Sequence, residues 1–437
     1  MRARLSTFAL GSAIGLALAA LAVTALDLTP TEQLRIATAS RLPGRTHLLP
    51  ATLETTQWGW FDNAQAPVLH VSPGDTVVME TLMHSHNQIV PGTTIEAIKK
   101  LRVDNPGRGP HSVTGPIYVE GAQPGDVLSV KINKIVPRAY GDNFNVPGMF
   151  GEFPNDFPEG QVKYFYLDWD RKVAEFAPGI EIPLRPFPGT IGVARAEPGK
   201  YSTVPPGPYA GNMDIRELTE GTTLYVPVFV PGALLWSGDS HAAQGNGEVN
   251  LTALETAFKE FNVTVDLVKG KKLDWPRIRM KDAWITMGYD KDLNKALEIL
   301  KVETAKFLVE EKRAAADKAA AAMESLADCR VAEVVNIAKG VYCMIPDAKP
   351  KALPARPTAE TKDELVTTAT DADLNKAMDG ASRAMIGLLQ EKKGLSRLDA
   401  YGLASLAMDC RLGKTEEAAK SVHCLLPKSL WTGAARP

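Results

Sequence analysis

The chain has 437 residues, 45% of them hydrophobic and 23% charged, which is globular composition and more length than one ordinary domain needs. Its formal net charge of −2 leaves no basic excess to neutralise phosphates, which argues against a nucleic-acid binder. The first residues differ from the rest. Arg2 and Arg4 precede an apolar run from Leu5 to Leu26, and Ala20-Leu21-Ala22 and Val23-Thr24-Ala25 offer small residues around a cleavage point. This layout predicts a signal peptide over 1–25, with an uncleaved membrane anchor as the alternative. A periplasmic or secreted protein is expected, with membrane contact only if the segment is retained.

A polar lead-in follows, and then short apolar strands punctuated by Gly and Pro from about His47 to Lys271. Pro67–Val71, Thr76–Met83, Val127–Ile135 and Thr222–Val230 read as strands, and Ser72-Pro73-Gly74-Asp75 and Gln123-Pro124-Gly125-Asp126 as turns before strands. Strands with little helix between them predict a mainly β fold with a jelly-roll-like β-sandwich core over 26–290. After residue 290 the composition turns to Ala, Lys, Glu and Leu. Asp290 or Asp292 can cap a helix starting near Leu293. The chain is therefore α+β overall.

This last third is duplicated. Asp292-Leu293-Asn294-Lys295-Ala296 returns as Asp373-Leu374-Asn375-Lys376-Ala377, and Asp328-Cys329-Arg330 as Asp409-Cys410-Arg411. Cys343 and Pro346 return as Cys424 and Pro427, at the same offset with no gap. The units span 291–348 and 362–437, joined by a linker at 349–361 rich in Pro, Ala and Lys. The second unit breaks its helix at Gly394-Leu395-Ser396 with Asp399 following; the first is expected to run on through Ala314-Ala315-Ala316. Matching cysteines in an exported chain predict bridges Cys329–Cys343 and Cys410–Cys424.

Four polar clusters can carry chemistry. If Thr76 to His86 is one strand, Glu80, His84 and His86 share a face, and His-x-His offers two imidazoles to a metal. Gly109-Pro110-His111 leads into an apolar strand that ends at Glu120, placed to ligate a metal or act as a base. Gly211-Asn212-Met213-Asp214 is the third. In the fourth, Gly238 to Glu248, glycines let Asp239, His241, Gln244, Asn246 and Glu248 converge. Neither a Gly-x-Ser-x-Gly elbow nor a Walker loop is present, and no Gly/Ser-rich run with a catalytic Lys. The remaining route to hydrolysis is water activated by a metal.

Together these clusters resemble the acetamidase/formamidase family. The resemblance is carried by GWFDNAQAPVLHVSPGDTV (59–77), HSVTGPIYVEGAQPGDVL (111–128), GNMD (211–214), LTEGTTLYVPVFVPGAL (218–234) and GDSHAAQGNGEV (238–249). It implies a β-sandwich, a bound divalent ion and release of ammonia from a short amide such as formamide or acetamide. The sequence departs from the pattern at His84-Ser85-His86, where an acid is expected, at Tyr209-Ala210 in place of His-Gly, and at Asn246 in place of Asp. The first change favours zinc, with calcium the alternative; the other two bear on substrate and activity. The His-x-His pair, His84 and His86, is expected to hold the ion together with Asp239 or His241 from the family motif. Glu120, Glu248 and His241 are expected to move protons, and Asn212, Asp214, Gln244, Gly245 and His111 to meet the substrate and its oxyanion. A homo-oligomer is expected, and the rival reading is a non-catalytic or repurposed periplasmic ligand-binding protein on the same fold.

Overall fold

Two similar turns show how the chain starts its strands. Ser72 N–H and Gln123 N–H each donate, at 2.9 Å, to the carboxylate three residues on, Asp75 and Asp126. Gly74 and Gly125 sit at φ +94° and +91°, where a side chain would be strained. The strands Thr76–Met79 and Val127–Pro137 follow directly.

The computed structural model describes residues 44–433 apart from 312 and 417, so the expected signal segment lies outside the described residues. Among the described residues the strands form a 12-stranded sheet, an 11-stranded sheet and a two-stranded ribbon. The expected mainly β, α+β architecture is found. Ile132, Leu224 and Val263 of the larger sheet share one buried core with Ile117, Ile191 and Leu235 of the smaller. Burying each such side chain contributes roughly 1.5–3 kcal/mol, so this apolar interior is what holds the two sheets together. No described helix is long and apolar enough to cross a membrane.

The expected strand from Thr76 to His86 is corrected. It ends at Met79, and His84–Asn87 forms a helical turn in which Ser85 and His86 both take φ 53°. A strand cannot continue through that backbone, so the alternation that would have paired His84 with His86 is lost.

The duplicated units extend the larger sheet. Strand Ala283–Asp290, helix Leu293–Glu310 and strands Asp328–Val331 and Lys339–Pro346 recur as Glu364–Asp371, Leu374–Lys393, Asp409–Glu416 and Ala419–Pro427. The units meet along their Asp-Cys-Arg strands, with Arg330 opposite Arg411. Asp292 and Asp373 each cap their own helix, and the two caps are cross-linked: Asn375 Nδ2 donates to Asp292 at 2.7 Å and Asn294 Nδ2 to Asp373 at 2.8 Å. The repeated Asp-Leu-Asn thus forms a reciprocal clasp between the helix starts. Both disulfides form within their units, Cys329–Cys343 and Cys410–Cys424, each across directly paired strand positions.

Gly394, at φ 64°, ends the second long helix and Ser396 caps the next, as the sequence indicates. The first unit also breaks, contrary to expectation. Its long helix stops at Glu310 and a separate helix runs over Ala319–Leu326, with no side chain capping its start. Alanine propensity alone does not carry a helix through a position where packing requires the chain to turn.

Candidate active site

Strand Leu235–Ala243 is buried along its whole length and is bordered by Phe187–Val193, Ser112–Val119 and Leu254–Thr256. Register places His241 opposite Glu255, and Glu255 opposite Asp142. Asp239 precedes His241 by two residues and turns toward the same point. His84 arrives from the helical turn, and His111 from the residue just before strand Ser112–Val119.

Four donor atoms converge. His84 Nε2 lies 2.8 Å from Asp239 Oδ1 and 3.3 Å from Glu255 Oε2. His241 Nε2 lies 3.3 Å from the same Asp239 oxygen and 3.2 Å from the same Glu255 oxygen. His111 Nε2 stands at 3.6 Å from the other Asp239 oxygen. Behind His241, Gln244 Oε1 is 2.9 Å from Nδ1, which fixes the proton on Nδ1 and turns Nε2 toward the carboxylates. Asp214 Oδ1 lies 3.7 Å from the same Nδ1, and Asn336 Nδ2 donates to its other oxygen at 2.6 Å.

Asp142, Asp214, Asp239, Glu248, Glu255 and Glu333 are all buried here, with His84, His111 and His241 packed among them. Burial, joined by its buried neighbours, holds Asp142, Asp214, Glu248 and Glu333 well above the usual carboxylate range. Burial opposes charge on Glu255 too, but His241 and His84 overcome it and bring it down to about 2. Burial likewise opposes a charged His84, yet Glu255 and Asp239 push it up to about 10. Burial brings His111 down to about 4, with Asp239 opposing. Asp239 and Glu255 therefore demand positive charge, which protons on two imidazoles or a cation can supply.

The donor set fits a cation. His84 with His111 and Asp239, Asp239 with His241 and Glu255, and Asp214 with His241 and Glu248 each bring their ligand atoms within 4.8 Å of one another. Four donors at the roughly 2.0–2.1 Å typical of zinc stand about 3.3 Å apart in a tetrahedron, close to the spacings of His84, Asp239, His241 and Glu255. Glu255 Oε2 and His241 Nε2 are buried with no hydrogen bond of ordinary geometry to satisfy them. Gly189 completes the fit. A Cβ on it would lie 2.4 Å from His241 and 2.8 Å from both Asp214 and Asp239. Asp214, Asp239 and Glu248 all sit at φ near 50°, a conformation costly for residues other than glycine.

A cavity of about 250 Å³ opens onto this cluster. His84, His111, Asn212, Asp239, Glu248 and Glu255 line it. Other expected site residues lie elsewhere. Glu120 is exposed and pairs with His70 at 2.9 Å, because its strand carries it to the far end from His111. His86 is turned away by the positive-φ backbone and meets Thr56 Oγ1 at 3.2 Å. Gly245 N–H is used by the carbonyl of Ser405 at 2.8 Å, and its Cα side abuts the chain at Ala407 and Met408, so it offers no oxyanion donor. Gln244 and Asp214 stand behind His241 and orient it instead of lining the cavity. Glu255, Asp142, Glu333 and Gly189 escaped the sequence reading. A lone acid inside the apolar run Ala253-Leu254-Glu255-Thr256-Ala257-Phe258 is the signal that could have found Glu255.

Comparison with known proteins decides the lineage. The model of the acetamidase/formamidase family matches residues 54–201 and 196–291, more than half of the chain. The chain belongs to the acetamidase/formamidase family. An acetamidase of Mycolicibacterium smegmatis is 30% identical over 219 residues, 37% of this chain and 54% of that protein. The chain spans 54 to 61% of the length of the curated relatives it matches. The crystal structure of an acetamidase from Bacillus halodurans superposes with a TM-score of 0.62 at 28% identity, covering 69% of this chain and 97% of that one. A gamma lactamase from Delftia acidovorans, 19% identical, shares the fold over 88% of this chain with a TM-score of 0.60. The family match includes every residue of the cluster except Glu333 and Asn336, which belong to the first duplicated unit.

Proposed function

We propose that this chain hydrolyses the C–N bond of a small linear amide and releases ammonia, with a divalent ion, zinc before calcium, held by His84, Asp239, His241 and Glu255. The observation that carries the reading is the convergence of those donors, 2.8–3.3 Å apart, at one end of a cavity. A bound divalent ion supplies positive charge that polarises an amide carbonyl and lowers the pKa of a water beside it. The protein's own groups do the rest. Glu248, whose carboxyl burial in the cavity wall pushes well above the usual carboxylate range, is placed to deliver a proton to the leaving nitrogen. Asn212 keeps its Oδ1 on Thr190 Oγ1 at 2.7 Å, which presents its NH2 group to a carbonyl oxygen. Gln244 and Asp214 hold the His241 ring. The N-terminal apolar run supports export, so the reaction is assigned to the periplasm or the exterior.

Ammonia release from a panel of short amides, before and after chelation and zinc repletion, tests this. Activity should disappear on chelation and return with zinc, and Glu248→Gln should cost on the order of 10²–10⁴ in kcat, the range for one general acid. Full ammonia release by metal-free protein would reject the scheme.

A further inference from the structure

The cavity is larger and more apolar than formamide or acetamide requires. Its volume of about 250 Å³ is many times the roughly 10–15 Å³ that a single water needs. Beyond the polar end, Ile89, Ile98, Val146 and Leu251 form an apolar wall, and Phe150 and Ile337, 40% and 58% exposed, mark its mouth. Set into this wall is a guanidinium. Arg102, on the helix Ile95–Asp104, lines the cavity and donates from Nη2 to Ser85 Oγ at 2.7 Å. Ser85 follows His84, so this hydrogen bond ties the cation to the turn that delivers His84 to the cluster. Among the described residues no carboxylate lies within ion-pair distance of Arg102, although it is half-buried. Burial lowers its pKa to about 10 without any acid to offset it. Arg108, stacked 4.6 Å over Trp58, lines the same cavity and also has no described acidic partner within that distance. A half-buried cation facing a ligand space without an acid from the protein is placed to pair with an anionic group of the ligand.

We propose that the amide taken by this site carries an anionic group at the end of a short apolar spacer, as in the half-amide of a dicarboxylic acid, and that Arg102 binds that group. The proposal rests on the amidase reading above and adds the substrate class. The reaction balances simply: water adds to the amide carbonyl carbon, the C–N bond breaks, and the nitrogen leaves as ammonium, giving the dicarboxylate. The acyl chain lies along Ile98 and Leu251 while its far carboxylate meets the guanidinium.

The test compares glutaramate with pentanamide, close in size but different in charge, on the zinc-loaded full chain. A charge-assisted pair supports roughly 10- to 100-fold discrimination. The kcat/KM ratio of glutaramate to pentanamide should therefore exceed ten, should fall about tenfold or more in Arg102→Gln, mainly through KM, and should be partly restored in Arg102→Lys. Equal kcat/KM for the two amides, or a ratio unchanged in Arg102→Gln, overturns the proposal. If neither amide is hydrolysed, calorimetric binding of the same pair separates the two readings. Glutaramate binding that Arg102→Gln abolishes upholds the anion site while amide hydrolysis fails; no preference for glutaramate removes the anion site.

Discussion

Asn246 shows how a departure from the family pattern is explained by its neighbours. Its Nδ2 donates to Val331 carbonyl at 2.5 Å and its Oδ1 accepts from Cys410 N–H at 3.2 Å, so one side chain bridges the Asp-Cys-Arg strands of both units. An aspartate could accept from Cys410 but would set a carboxylate oxygen against a carbonyl. The change bears on the duplicated units and not on the substrate, as sequence alone had suggested. Asn246→Asp should destabilise the fold by about 1–3 kcal/mol, the cost of a buried polar group without a partner, read as a lowered denaturation midpoint. A midpoint equal to wild type would contradict this bridge. Gly189 makes the matching case inside the site. Gly189→Ala should leave secondary structure intact yet cut zinc affinity at least tenfold, since its methyl would press on His241, Asp214 and Asp239. Zinc affinity unaltered by the methyl group would show that the ligand set is looser than its geometry states.

Elements decide what was legible beforehand. The polar stretch Gly238–Glu248 stands out in the sequence because many different polar groups crowd among glycines, and it delivers Asp239 and His241 from strand Leu235–Ala243 and Glu248 from the loop that follows. His84 reaches the site by a route that strand alternation does not predict, a helical turn at positive φ. Glu255 leaves a faint local trace, an acid inside an apolar run, whereas Asp142 and Asn336 leave none, because strand register and a contact from the duplicated unit bring them in. The second unit also carries a pH-dependent contact. Ser382 of helix Leu374–Lys393 donates to Glu152 at 2.9 Å, and burial pushes the Glu152 carboxyl up to about 8. Below about 4.5 this group is neutral whether the chain is folded or not. Between there and about 8 the unfolded chain gives up its proton while the fold keeps it, so stability falls as pH rises through that window. Glu152→Gln should match the wild-type melting temperature at pH 5 and exceed it by several degrees at pH 9. Equal melting temperatures at both pH values would remove this linkage.

At the scale of the molecule, the duplication is part of the site's frame. Gly247 N–H donates to Ala332 carbonyl and Val334 N–H to Gly247 carbonyl, so the first unit grips the polar loop and carries Asn336 to Asp214. The second unit carries Lys414 where the first has Glu333, so that acid is not repeated. Instead its carbonyls of Ser405 and Met408 take the N–H groups of Gly245 and Asn246 from the other side. One copy reaches the site and its sibling steadies the loop from outside. Both roles serve a cluster whose donors could hold a cation. Zinc titration into metal-depleted chain, wild type beside Glu255→Gln, measures that demand directly. One zinc per chain should bind the wild type, with affinity reduced at least tenfold in the variant. A wild-type chain that takes up no zinc or calcium, or a variant that binds as well, would contradict the account.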